Sequence, residues 1–234
     1  MARASDKPTK LAILSMVGHE IKVVESAAQV GSRVPPRAEA LPVGNGLLDQ
    51  KATLALDKQA RAFLSADNIV LMSAQGQMWS ELQRDALVGE AGMKDLIATV
   101  TDVARRGGCS HALALIKHRG VARIRLHDTS IGHGMLEGLG FYIDSTINTV
   151  STDSREQSIG ILAPYAYMKL LYIDANKVSL IRSEVTEASR GLGPEMGDMR
   201  NPWEAFNAEQ KARFLTNLVE QELARLVPKV MKPG

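Results

Sequence analysis

The feature that most constrains this chain is its second half, a nearly unbroken succession of strand-like segments joined by short turns. Residues 111–117 and 121–127 alternate around Arg119-Gly120, and residues 140–150 and 159–173 make a second pair. The tetrad Asp174-Ala175-Asn176-Lys177 then turns the chain into residues 178–185. Five strands in succession predict an antiparallel sheet. Pro164 cannot donate to a ladder, so its strand is expected to lie at an edge or to bulge there.

The first half supplies helices. Residues 10–17 and 20–25 flank Gly18-His19, a pair suited to a two-residue turn, which predicts an opening hairpin. Residues 26–46 carry Gly31, Pro35-Pro36, Pro42, Gly44 and Gly46, break both regular periods and predict a long exposed excursion. Residues 47–64 place Leu48, Ala52, Ala55, Leu56, Ala60 and Phe63 at helical intervals. Residues 69–72 have strand character, residues 73–92 read as irregular or partly helical, and residues 93–106 form a helix closed by Gly107-Gly108. After an aperiodic loop at 188–200, Asn201-Pro202-Trp203-Glu204 offers an N-cap, a proline at the first helical position and an acid two residues later, and the last helix is expected to stop before Pro228. The resulting expectation is an α+β fold: a mainly antiparallel sheet with helices packed on one face, a two-layer sandwich. A flexible tail over residues 1–9 would precede one domain over residues 10–234.

Composition excludes several classes. With 45% hydrophobic and 23% charged residues in 234, the chain can bury a core and is not a disordered one. The charge-free stretch at residues 157–168 falls far short of the roughly 18 to 20 apolar residues of a spanning helix. A formal charge of +2 gives no basic excess, so no specific nucleic-acid partner is expected. The single Cys109 excludes an intramolecular disulfide framework and a multi-thiolate zinc site, and it reads as a small buried hydrophobe. The polar start at residues 1–8 lacks the apolar core of a signal peptide. It fits a cytoplasmic protein as written, or a periplasmic or envelope domain if Met1 begins an expressed fragment.

Motifs for chemistry are sparse. Gly134, Gly138 and Gly140 have the GxxxGxG spacing of short-chain dehydrogenases, and Tyr165 and Lys169 supply a YxxxK. A phosphate-cradling loop needs a helix N-terminus after it, however, and here Phe141-Tyr142-Ile143 continues as strand, so no nicotinamide cofactor is expected. The glycines read instead as a connection spanning residues 128–140 that can carry a binding site, with His133 and Glu137 as candidate acid/base groups and Gly134 and Gly138 as candidate binding positions. In the strand pair about Arg119-Gly120, alternation puts Leu113, Leu115, Ile124 and Leu126 on one face. Arg123, Arg125, His118 and His127 fall on the other, as a small cationic stripe able to meet an acidic partner. Ser73-Ala74-Gln75-Gly76 lacks the leading glycine of a nucleophile elbow, and no His pair has metal-binding helical spacing.

The segment Tyr172-Ile173-Asp174-Ala175-Asn176-Lys177-Val178, with the order of opening strand, helices, long hairpins and closing helix over residues 10–185, resembles periplasmic α/β domains of bacterial envelope proteins. The curli-secretion lipoprotein and the N-terminal domain of the Tol-system propeller protein are the cases in point. The resemblance implies a non-catalytic envelope domain that binds other proteins, and it transfers no functional residue. Apart from it, no cofactor and no membrane-spanning segment is expected, and the sequence is compatible with a homo-oligomer. The alternative on the residues alone is a small-molecule hydrolase or ligand-binding enzyme using the 128–140 loop.

Overall fold

A run of five apolar or small residues that alternates in nothing, Leu11-Ala12-Ile13-Leu14-Ser15, is suited to a strand covered on both faces rather than one. In the computed structural model, which describes residues 9–26, 37–126, 129–150, 157–192 and 201–232, that run is β1 (Leu11–Ser15), buried throughout. It lies between two parallel neighbours, β4 (Ile69–Leu71) and β5 (His111–Lys117). Leu11 and Ile13 pack with α1 (Leu47–Ala60) and α4 (Ala208–Met231). Ala12 and Leu14 pack on the opposite face with α2 (Gln77–Val88) and α3 (Glu90–Arg106). Two expectations are therefore corrected: helices cover both faces, and the nine-stranded sheet is mixed rather than mainly antiparallel.

The sheet forks. Strand β10 (Gln157–Asp174) is antiparallel to β9 (Met135–Val150) from Gln157 to Tyr167, and to β5 from Met168 to Asp174. Its other edge takes β11 (Ser179–Ser189) over Tyr165–Asp174, so β5 and β9 must lie end to end along one edge. His118 stitches the junction: its amide donates to the Tyr167 carbonyl at 2.9 Å, and its carbonyl accepts from the Gly138 amide at 3.1 Å. Behind β9 lies β2 (Glu20–Ser26), parallel to it, as β1 is parallel to β5. Strands β1 and β2 therefore run in the same direction. Gly18-His19 joins them without a reversal, and the expected opening hairpin is replaced by pairings with distant strands.

Other local expectations meet the same long-range competition. Part of the 26–46 excursion is β3 (Arg37–Pro42), an edge strand on β2, while residues 27–36 lie outside the described set. Arg119-Gly120 is not a hairpin turn. It belongs to β6 (Arg119–Val121), which pairs with β9, while β7 (Ile124–Arg125) pairs with β8 (Ser130–Ile131). Leu113 and Leu115 consequently share no cluster with Ile124 and Leu126. The helix start expected at Asn201 makes a single turn only. Helix α4 begins after Asn207, whose side chain accepts from the Gln210 amide at 2.9 Å in a reciprocal capping box. It also runs through Pro228 to Met231, because Leu226, Val227 and Val230 are buried against the sheet, and that burial outweighs one missing helix hydrogen bond.

The β9–β10–β11 meander agrees with the sequence. Asp174 Oδ1 accepts from the amides of Asn176 and Lys177 at 2.9 and 3.0 Å, the side-chain-stabilised turn expected there. The Pro164 carbonyl accepts from Arg190, so its nitrogen faces that same edge just beyond the last β10–β11 pair, Tyr165 with Ser189. The missing donor thus falls where the ladder ends, and the register of β10 shifts elsewhere, against β9 between Ile159 and Ile161, where the extra residues belong to β9, and against β11 between Tyr172 and Ile173. Cys109 is 3% exposed and burial pushes its thiol pKa up. No helix among the described residues is long and apolar enough to cross a membrane.

Candidate functional site

The order β4-β1-β5 places a topological switch at β1. The chain leaves β1, passes through β2, β3 and α1, and returns at β4 on one side; it then crosses by α2 and α3 on the other face to β5 on the opposite side. Such points leave a crevice at the carboxyl ends of the parallel strands, where open α/β sheets hold ligands. Here the crevice is opened further by the fork. The last rung of β1 on β5 is the Met16 amide on the Leu115 carbonyl at 2.9 Å. Parallel spacing would next set Lys117 N–H on the Met16 carbonyl and Gly18 N–H on the Lys117 carbonyl.

Side chains take those positions instead. The Lys117 amide donates to Gln83 Oε1 at 2.8 Å, and Gln83 Nε2 donates to the Met16 carbonyl at 2.9 Å, so one carboxamide from α2 replaces a rung. Gly18 N–H donates to Asp49 Oδ1 at 2.9 Å, and the Ser15 hydroxyl donates to the same oxygen at 2.7 Å. Asp49 stands in the first turn of α1, where the helix dipole favours an acid. Gln83 from one face and Asp49 from the other hold the strand ends apart.

Between them lies a cavity of about 240 Å³, walled by Met16, His19, Asp49, Trp79, Ser80 and Gln83. A second concavity of about 330 Å³, with Thr53, Leu54, Leu71, Met72 and Ser73 among its walls, shares Asp49, Ala74 and Gln75 with the first. Among the described residues Asp49 is the only Asp, Glu, Lys or Arg that lines either hollow. Burial pushes its carboxyl above the ordinary range, against the Ser15 and Gly18 hydrogen bonds. Burial lowers His19, and the Lys117 ammonium, 3.3 Å from His19 Nε2, lowers it further. The ring is thus neutral and presents Nε2 as acceptor to the ammonium. Lys117 Nζ also donates to Glu20 Oε1 at 2.8 Å. Burial works upward on Glu20, but the Lys117 hydrogen bond and charge prevail and hold it below the usual carboxylate range. The Lys117 stem crosses Gly138, whose φ of +68° suits glycine and where a Cβ would come within 3.0 Å of the lysine Cγ and Cδ.

Ser15 gives its proton to Asp49, and His19 Nε2 is turned to Lys117, so neither forms a nucleophile–base pair with the other. Among the described residues no group of three or more His, Cys, Asp or Glu side chains could hold a metal ion.

The residues singled out in the sequence lie elsewhere. His133 is exposed, and its amide donates to the Tyr142 hydroxyl at 3.3 Å. Glu137 is in β9, paired at 2.6 Å with Lys22, and no hydrogen bond joins it to His133. The expected loop thus ends at Gly134, whose carbonyl accepts from Ala122, and Gly138 is a strand residue at the fork. His118 Nε2 lies 3.3 Å from Glu187, which takes it out of the cationic stripe. Arg123 and Arg125 are exposed, their amides bound to Tyr167 Oη and Ser189 Oγ. His127 lies outside the described residues. What the sequence reading passed over was Ser15, His19, Asp49 and Gln83. The available signal was the non-alternating apolar run of β1, which marks a doubly covered parallel strand whose carboxyl end is the place to search.

No protein-family model and no curated protein matches the chain. Among solved structures it is similar to a protein from Helicobacter pylori described as a neuraminyllactose-binding hemagglutinin homolog, with 11% identity, 96% of this chain and 86% of that one covered, and a TM-score of 0.41. It is similar to a DUF330 protein from Xanthomonas campestris at 8% identity, 97% and 88% coverage and a TM-score of 0.37. A hypothetical protein from Chlamydia trachomatis gives 9% identity, 93% and 97% coverage and a TM-score of 0.32.

Proposed function

We propose that this chain is a non-catalytic binding domain, of the envelope type that the Tyr172–Val178 resemblance implies, and that it holds its partner in the cleft at the carboxyl ends of β1 and β4. The observation that carries this reading is the replaced rung. The Gln83 carboxamide stands in for a β1–β5 rung and the Asp49 carboxylate binds the Gly18 amide, and these same two side chains wall a cavity on the β4 side of β1, with polar walls and one aromatic side, Trp79. A fold that only needed to close its core would let Lys117 bond Met16 directly. Ser15 is committed to Asp49 and His19 Nε2 to Lys117, so the cleft pairs no nucleophile with that histidine, which favours recognition.

The chain has two tryptophans, and Trp203 packs edge-on to Phe141 away from the cleft, so Trp203→Phe leaves Trp79 as a single reporter. A library of polar fragments is then scored by Trp79 fluorescence and by NMR shifts of His19. Fragments that move both, and lose both effects in Ser80→Arg, which fills the cavity, support the assignment. If no fragment moves either signal, or if the effects persist in Ser80→Arg, the cleft is not a binding site.

A further inference from the structure

The lip of this cleft is an unused strand edge. Strand β4 ends the sheet, and the Met72 amide donates to the Ile13 carbonyl at 2.9 Å, so even-numbered residues of this strand turn their backbone groups to β1. By alternation the N–H and C=O of Leu71 face outward, and Ser73 follows two residues on. Past Met72 the chain stays irregular up to α2, and among the described residues no backbone hydrogen bond within the chain engages Ser73, Ala74 or Gln75. Ser73 and Gln75 are exposed. Exposed strand edges of this kind take up an additional strand readily.

The surroundings restrict what can be added. Leu54 and Leu71 are large apolar side chains, 54% and 46% exposed, and both line the hollow beside this edge. Among the described residues the same hollow contains Asp49 and no lysine or arginine, so its charge is complemented by a cation and repels an acid. A small sugar or nucleotide would meet the polar cavity but not the row of backbone groups and leucines. An extended peptide meets all three. We propose that the partner held by this cleft is an extended segment of another polypeptide, which pairs with the outward backbone of Leu71 and Ser73, lays an apolar side chain on Leu54 and Leu71, and directs a lysine or arginine toward Asp49. This rests on the binding reading above and names the partner class for it.

The test is a phage-displayed library of random heptapeptides panned on the intact chain. Enriched peptides are then synthesised with and without N-methylation at alternate amides. Expected sequences alternate apolar or β-branched residues with others and carry a basic residue. Their binding shifts the amide resonances of Leu71 and Ser73, weakens about tenfold in Ser73→Pro, which removes the outward N–H, and is retained in Ser73→Ala. One register of N-methylation abolishes binding while the other leaves it, a readout that leaves the protein untouched should Ser73→Pro fold poorly. Asp49→Asn reduces the preference for basic over neutral peptides. No enrichment, or peptides equally tolerant of both N-methylated registers, overturns the proposal. If polar fragments move Trp79 and His19 while no peptide binds, the cleft reading stands and the peptide inference falls; if neither binds, both fall.

Discussion

Replacing Gln83 by alanine tests the central structural claim, because it removes the carboxamide that serves as a rung and leaves nothing in its place. Two backbone groups then lose their partners: the Lys117 amide and the Met16 carbonyl, on residues 4% and 2% exposed. Each buried orphan costs about 1–3 kcal/mol, so the variant should lose about 2–6 kcal/mol of unfolding free energy in urea, at unchanged m-value. Hydrogen exchange at the Lys117 amide should accelerate at the same time, since its protection comes from that one acceptor. Gln83→Glu separates hydrogen bonding from packing. Protonated, it accepts from Lys117 and donates to Met16; ionised, it sets an oxygen against the Met16 carbonyl, so its folded-state pKa is raised. A raised carboxyl gives stability that is complete below the unfolded-state pKa and lost as pH rises through the folded-state one. Gln83→Glu should therefore match the parent in acid and fall below it toward neutrality. If Gln83→Ala costs under about 0.5 kcal/mol and Lys117 stays protected, the strands have simply closed, Gln83 does not hold them apart, and the account of the cleft is wrong.

Four further outcomes follow from the same structure. Asp49 has a raised carboxyl pKa, so ionising it opposes folding; the stability of the parent relative to Asp49→Asn should decline as pH rises from about 4 to 7, as urea titrations at both ends would show. His19 should titrate below the ordinary histidine value in an NMR series, and Lys117→Met should move its midpoint up, because one lowering charge is gone while Glu20 remains. Thr101 is fully buried with no partner for its hydroxyl, so Thr101→Val should add about 1 kcal/mol in chemical denaturation. Val178 has a φ of 54°, which is strained for a β-branched residue, and Val178→Asn should raise the thermal midpoint, with about 1 kcal/mol of gained stability.

The parts of the fold that were legible are those set by neighbours in sequence. The turn at Asp174-Ala175-Asn176-Lys177 closes on its own side chain, and α3 stops at Gly107-Gly108 as its periodicity and charges predict. Gly18-His19 was misread because a tight turn and a handover between collinear strands require the same small, polar pair. What decides between them is Leu11 on His111 and Lys22 on Gly140, pairings a hundred or more residues away. The two asparagine starts of the last helix were likewise indistinguishable locally. The second prevails where Trp203 packs on Phe141 and Phe206 on Phe214, which holds the first turn apart from the helix that follows. Gln83 gave no warning, since a glutamine on an amphipathic helix ordinarily faces water, and only the parting of β1 from β5 turns it inward.

The fork itself explains why the cleft lies where it does. Strand β10 can serve two strands along one edge only if β5 hands over to β9, and the layer behind must then hand over from β1 to β2. At β5–β9 the gap is closed by one residue, His118, which bonds both sides. At β1–β2 four residues intervene, the backbone cannot keep register, and helices from the two faces reach in to satisfy Lys117, Met16 and Gly18. Side chains that complete a ladder from outside it can be rearranged, which backbone rungs cannot. The handover is consequently the least self-sufficient part of the sheet, and it opens beside an edge, Leu71 to Gln75, that still has hydrogen bonds to give. Both features follow from one topological fact, so a partner strand entering at that edge would meet the place where the fold can most easily adjust to it.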